Sequence, residues 1–156
     1  MTYWQSFAVI IIAQIFFLFV ILKMSRDKEI VSKIIPSALI GLVFGVCFDL
    51  IFGYYLNIFN YNIGFNILFL VLNGIFSYGV MVITVWLCLG NSFWKFYFQM
   101  MTLGIFYEVG NYVFPVWSWH FTDNFIINEI ILILCAYFGL AFLISLLIKF
   151  AQKFFN

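Results

Sequence analysis

Charge is what this sequence lacks most. Only 8% of its residues are Asp, Glu, Lys or Arg, against about a quarter in soluble domains. Of its 156 residues, 67% are hydrophobic, more than a water-soluble core can hide, so the solvent they imply is lipid. A net charge of +1 offers no field to nucleic acid or to an acidic partner. Cysteine is also scarce. Cys47, Cys88 and Cys135 stand far apart in apolar runs, so no pair has metal or redox spacing. They read as small buried hydrophobes. His120 is the only histidine, and without a Cys or a second His it is a weak ligand set. No metal is expected. There is no phosphate loop, no H-E-x-x-H and no G-x-S-x-G, and no Ser, His and Asp set lies at one depth. No cofactor is expected either.

What the sequence does have is long apolar runs. A spanning helix needs about 20 mostly apolar residues. Five segments qualify, at about 4–22, 34–53, 67–89, 96–114 and 125–148. They predict a single all-α transmembrane domain over 1–156, a five-helix bundle. The runs are continuous rather than alternating, which argues against a barrel. The first run has no basic segment before it and no small-x-small site after it, so it reads as a retained helix and not a cleaved signal.

The basic residues set an orientation. Lys23, Arg26, Lys28 and Lys33 follow the first run, Lys95 follows the third, and Lys149 and Lys153 follow the fifth. Five spans put all of them on one side. By the positive-inside rule the C-terminus is then cytoplasmic and the N-terminus outside. The expected location is the bacterial cytoplasmic membrane. Tyr54, Tyr55, Trp117 and Trp119 fall on the outer side, where flat amphipathic rings suit the headgroup belt.

Against this background a few polar residues stand out. Glu108 lies about six residues below the outer end of the fourth run, or about 9 Å at helical rise. Asp49 and Glu129 each lie about four residues, or roughly 6 Å, inside theirs. Asn73 and Asn111 fall at a similar depth. A carboxylate facing lipid costs several kcal/mol, so these groups should face the bundle interior or a wet cavity. All the basic residues lie at the other face, which leaves the acids to hold or share a proton or to bind a cation. Asp49, Glu108, Glu129, Asn73 and Asn111 are therefore the candidate proton or ligand site. His120, Trp117, Tyr54 and Tyr55 stand around it.

Spacing suggests which faces turn inward. Ser37, Gly41, Gly45, Asp49 and Gly53 recur every four residues, a stripe that lets another helix approach closely. Tyr97, Met101, Gly104, Glu108 and Asn111 line one face of the fourth run. Gly41, Gly45, Gly53 and Gly104 are the expected packing positions. Helices two, three and four are expected to pack around the acids, with Glu108 near Asp49.

Three functions fit these residues. The first is binding, or helping to move, a proton, a cation or a small solute, since intramembrane acids mark such pathways. No polar path continues through the inner leaflet, so a complete route would need a homo-oligomer or another membrane subunit. The second is a membrane enzyme with a protonated Glu108 or Asp49 as general acid on a lipid or isoprenoid. The third is a non-enzymatic assembly partner in the bilayer.

The segments "FDLIFGYYLNIFNY" and "FYEVGNYVFPVWSWHF" together resemble a group of small multi-pass membrane proteins of low-GC Gram-positive bacteria, uncharacterised as to activity. The resemblance spans about residues 40–120 and matches at Asp49, Gly53, Tyr54, Tyr55, Glu108, Gly110 and Trp117. No proline follows the aromatic turn, as that pattern would have it. The paired carboxylates are also similar in logic to those of membrane-bound isoprenoid cyclases, where acids protonate a polyene. Neither likeness implies a substrate.

Overall fold

The computed structural model describes residues 2–24, 29–88, 92–120 and 122–155. Arg26 and Lys28, two of the basic residues used above, lie outside the described residues. Five helical rods follow one another. Helix α1 is Tyr3–Met24. Helix α2 covers Ile30–Tyr55 and changes pitch twice: a 3-10 turn leads into an α-helix over Ile34–Phe48, which widens to a π-helix over Asp49–Tyr55. Helix α3, Ile67–Cys88, contains a π turn at Gly74–Tyr78. Helix α4 is Phe93–Val113, and helix α5 covers 125–155 with a π turn at Leu132–Ala136.

Four of the rods are long and apolar enough to cross a bilayer: Tyr3–Val20, Ile30–Tyr55, Ile67–Cys88 and Ile126–Lys153. Helix α4 has the length, at 21 residues, but Lys95, Gln99, Glu108 and Asn111 make it less apolar than the others. Side chains cap the starts of α3 and α4, among others. Asn66 accepts a bond from the Phe69 amide at 3.0 Å, and Ser92 accepts one from the Lys95 amide at 3.3 Å. Each satisfies a donor that the first helical turn would leave bare.

Helices α2 and α3 make the closest contact in the molecule, antiparallel and backbone to backbone. A Cβ placed on Gly41 would sit 2.4 Å from the Gly79 nitrogen, and one on Gly45 would sit 2.5 Å from the Tyr78 ring. Gly74 lies against Leu42 from the other side. Gly104 of α4 packs on the ring of Tyr137 of α5, where a Cβ would come within 2.9 Å. Gly53 meets the Phe59 ring rather than another helix. Towards the Lys-bearing helix ends, Met81, Val82, Val85, Met100, Leu103, Ala141, Ile144 and Ile148 close a core between α3, α4 and α5.

The opposite end is roofed by a two-stranded ribbon. Strand β1, Phe59–Tyr61, pairs antiparallel with β2, Trp117–Trp119, with Phe59 opposite Trp119 and Tyr61 opposite Trp117. Two more backbone bonds flank it, Asn62 N–H to the Val116 carbonyl and His120 N–H to the Ile58 carbonyl, both 2.8 Å. The sequence reading has Trp117 and Trp119 in a loop; the structure pairs them into this ribbon, because joining two distant loops satisfies backbone groups that would otherwise need water. Cys47 and Cys135 correct the reading of buried cysteines: both are exposed on helix surfaces, and Cys88 alone is buried. A thiol facing lipid and a thiol facing protein meet similar polarity, so neither position is penalised.

Candidate functional site

The polar side chains collect beneath the ribbon. Asp49 is fully buried on the first residue of the π segment of α2. One carboxyl oxygen accepts from the Tyr78 hydroxyl at 2.7 Å, and the other from the Asn73 amide at 3.1 Å. The same amide nitrogen reaches the Tyr61 hydroxyl at 2.8 Å. Through Asn73, β1 is tied to the carboxyl beneath it. Burial, and next the charge on Asp49, push the Tyr61 phenol well above its usual range and keep it a donor.

Glu108 is the centre of a second group. It is 6% exposed, and its Oε1 accepts from the Tyr137 hydroxyl at 2.7 Å. Trp117 and Trp119 of the ribbon line the same cleft as Glu108. The direct partner of Glu108 belongs to α5, whereas the hydrogen-bond partners of Asp49 belong to α3. The reason is geometric. The glycine contact brings α2 onto α3, while Gly104 brings α4 onto Tyr137, so each carboxyl meets the tyrosine of its own closest neighbour.

Each tyrosine adjoins a π turn. Tyr78 ends the one in α3, and Tyr137 directly follows the one in α5. A π turn inserts one extra residue and re-aims the side chains after it, and such turns recur at functional sites. Sequence periodicity at 3.6 residues per turn misses both tyrosines for this reason.

The tyrosines that bond the two carboxyl groups, Tyr78 and Tyr137, line one cavity of about 70 Å³. Eight aromatic residues wall it: Phe48, Phe59, Tyr61, Tyr78, Tyr107, Trp117, Trp119 and Tyr137. Asn73 and Ser77 supply polar edges. Ser77 exchanges hydrogen bonds with Gln14 at 2.9 and 3.3 Å, which ties α1 to α3, and its carbonyl accepts from the Tyr107 hydroxyl at 3.0 Å. The space suffices for a few waters or one small ammonium group.

The remaining candidates fall in different places. Glu129 is half-buried and lines a wider cleft beside Glu108. Asn111 is committed to the backbone: its oxygen accepts from the Val116 and Trp117 amides at 2.9 and 3.1 Å, and its nitrogen donates to the Trp117 carbonyl at 2.9 Å. It fastens β2 to the end of α4. His120 is exposed, with Nε2 3.3 Å from the Asn60 amide. The Tyr54 hydroxyl donates to the Gly64 carbonyl at 2.9 Å, and Tyr55 is 84% exposed. Among the described residues no three of His, Cys, Asp and Glu converge as metal ligands. Comparison with known families, with curated proteins and with solved structures finds no match, and the chemistry of the site is read from its own residues.

Proposed function

We propose that the chain is a five-span protein of the bacterial cytoplasmic membrane, N-terminus outside, that binds a small organic cation in the aromatic cavity lined by the tyrosine partners of Asp49 and Glu108. One observation carries this: a cavity walled by eight aromatic residues, two of which, Tyr78 and Tyr137, each bond a carboxyl group. Aromatic faces attract a desolvated cation by about 1–2 kcal/mol each. Two carboxyls add negative potential in a medium that screens it weakly. An anion would meet both as repulsion. Helix α4 completes the five spans on this reading, its polar residues shielded by α5 and the ribbon. Its partners are the bilayer and, for passage across the inner leaflet, a second copy or another membrane subunit.

Melting of the purified protein in neutral detergent tests the reading. Tetramethylammonium chloride should raise the midpoint above that in sodium chloride of equal ionic strength. Glu108→Gln and Asp49→Asn should each lose most of that shift. If sodium stabilises equally, or both variants respond like the parent, the cavity is not a cation site and the carboxyl bonds only hold helices together. The hydrogen-bonded Tyr137–Glu108 pair also favours a second reading, proton donation to a lipid or isoprenoid alkene. Mass spectra of polyprenyl lipids incubated with the protein, beside Glu108→Gln, would reveal a Glu108-dependent product or its absence.

A further inference from the structure

We infer that the cleft between α4 and α5 binds the chain of an amphiphilic cation drawn from the bilayer, with its head against Glu108 and Glu129. The inference rests on the cation reading above and adds the ligand's chemical class and its source.

The cleft holds about 460 Å³, within the usual range of small-molecule sites. Its side-chain amides and the Ser118 hydroxyl are committed, while the buried Trp117 indole N–H has no partner among the described residues. Asn111 is bonded to the ribbon backbone, Asn128 to the Thr122 backbone, and the Ser118 hydroxyl to Asn62. Glu129 makes no hydrogen bond among the described residues, and Glu108 has one oxygen outside its bond to Tyr137. The acceptors left for a ligand are therefore carboxyl oxygens. A head that fits them must be cationic, or at least a donor. A phosphate or carboxylate head would meet two acids and find no cation among the lining residues.

The rim indicates where the ligand comes from. Ile105 and Tyr112 of α4 line the cleft and are 46% and 80% exposed. In a bilayer that face meets acyl chains. Gly104 against Tyr137, with Met100 and Leu103 beyond it, shuts the space between α4 and α5 towards the Lys-bearing ends. The cleft is thus blind inward and bordered by lipid. Trp117 and Trp119 line both this cleft and the aromatic cavity, so a head at Glu108 lies next to the cavity wall.

The test uses the full chain in lipid nanodiscs, with dodecyltrimethylammonium, tetramethylammonium and dodecyl sulfate as probes below their micellar concentrations. Binding is read from tryptophan fluorescence. Dodecyltrimethylammonium should bind about tenfold or more tightly than tetramethylammonium, since part of its chain is buried in the cleft. Ile105→Trp, a change at the lipid-facing rim, should remove this chain-length advantage and leave tetramethylammonium binding unaltered. Glu129→Gln should weaken the amphiphile several-fold, and its melting curve checks that the fold is kept. The inference is overturned if dodecyl sulfate binds as well, or if the chain-length advantage survives Ile105→Trp. It also fails if Glu129→Gln binds the amphiphile like the parent. Loss of tetramethylammonium binding in the parent itself would instead sink the aromatic-cavity reading, while an Ile105-sensitive amphiphile signal would still uphold the cleft.

Discussion

At Asp49 and Glu108 the chain sets a carboxyl group against a tyrosine hydroxyl at 2.7 Å, twice, on two different helix pairs. A buried carboxyl left with too few donors is expensive, so the tyrosines hold the fold as well as shape the site. Tyr78→Phe removes the shortest bond to a fully buried Asp49 and should destabilise the protein by about 1–2 kcal/mol. Tyr137→Phe should cost less, because Glu108 is slightly exposed while Asp49 is fully buried. Detergent melting of both variants checks the order, and an inverted order would mean that Glu108 depends on its tyrosine more than Asp49 does. Asn111 belongs to the same scale. Asn111→Ala deletes three bonds to the ribbon backbone and should destabilise by about 2 kcal/mol. Limited proteolysis between residues 114 and 120 should then speed up, and an unchanged cleavage rate would show that the ribbon holds itself.

The elements meet through glycine. Gly41 and Gly45 lie within a Cβ's reach of α3 backbone and of the Tyr78 ring, so either one replaced by Leu has no space without parting the helices. Gly45→Leu should lower the melting midpoint and expression sharply, and would also displace Tyr78 from Asp49. Gly110 is the contrast, with nothing within 4 Å of a Cβ placed there. Gly110→Ala should be neutral or should stabilise α4 by roughly 0.5–1 kcal/mol. Equal melting of the two variants would refute the α2–α3 contact as described. The three π turns act at this scale too. Each lies beside a residue of the polar network, and each shifts helix register by one residue just where a side chain must be turned inward.

At the scale of the whole molecule the bundle has two unlike faces. Lys33 lies over the Trp86 ring at 5.9 Å, so the start of α2 and the end of α3 share one face of the bundle. The ribbon closes the other face. With its own three cysteines replaced by Ala, the chain should accept an impermeant maleimide at Asn62→Cys from outside the cell and refuse it at Lys153→Cys. The reverse pattern would invert the orientation proposed above.

Much of this was legible from residue types. Scarce charge and long apolar runs determined that the chain is a bundle of membrane-compatible helices, because no other structure satisfies every backbone group in lipid. The small-residue stripe of α2 could be read from spacing, and so could the oddity of carboxyls among Phe and Ile. The identity of the neighbours could not. In a chain that is apolar all round, lipid and protein interior look alike to a side chain, so periodicity does not say which face of a helix turns inward. That Glu108 bonds Tyr137 of α5, and Asn111 the ribbon, was set by glycine contacts and register shifts that fix each helix's rotation. The ribbon was hidden as well. Three-residue strands more than fifty residues apart carry no pattern until the helices bring them together, and only then do they roof the cavity.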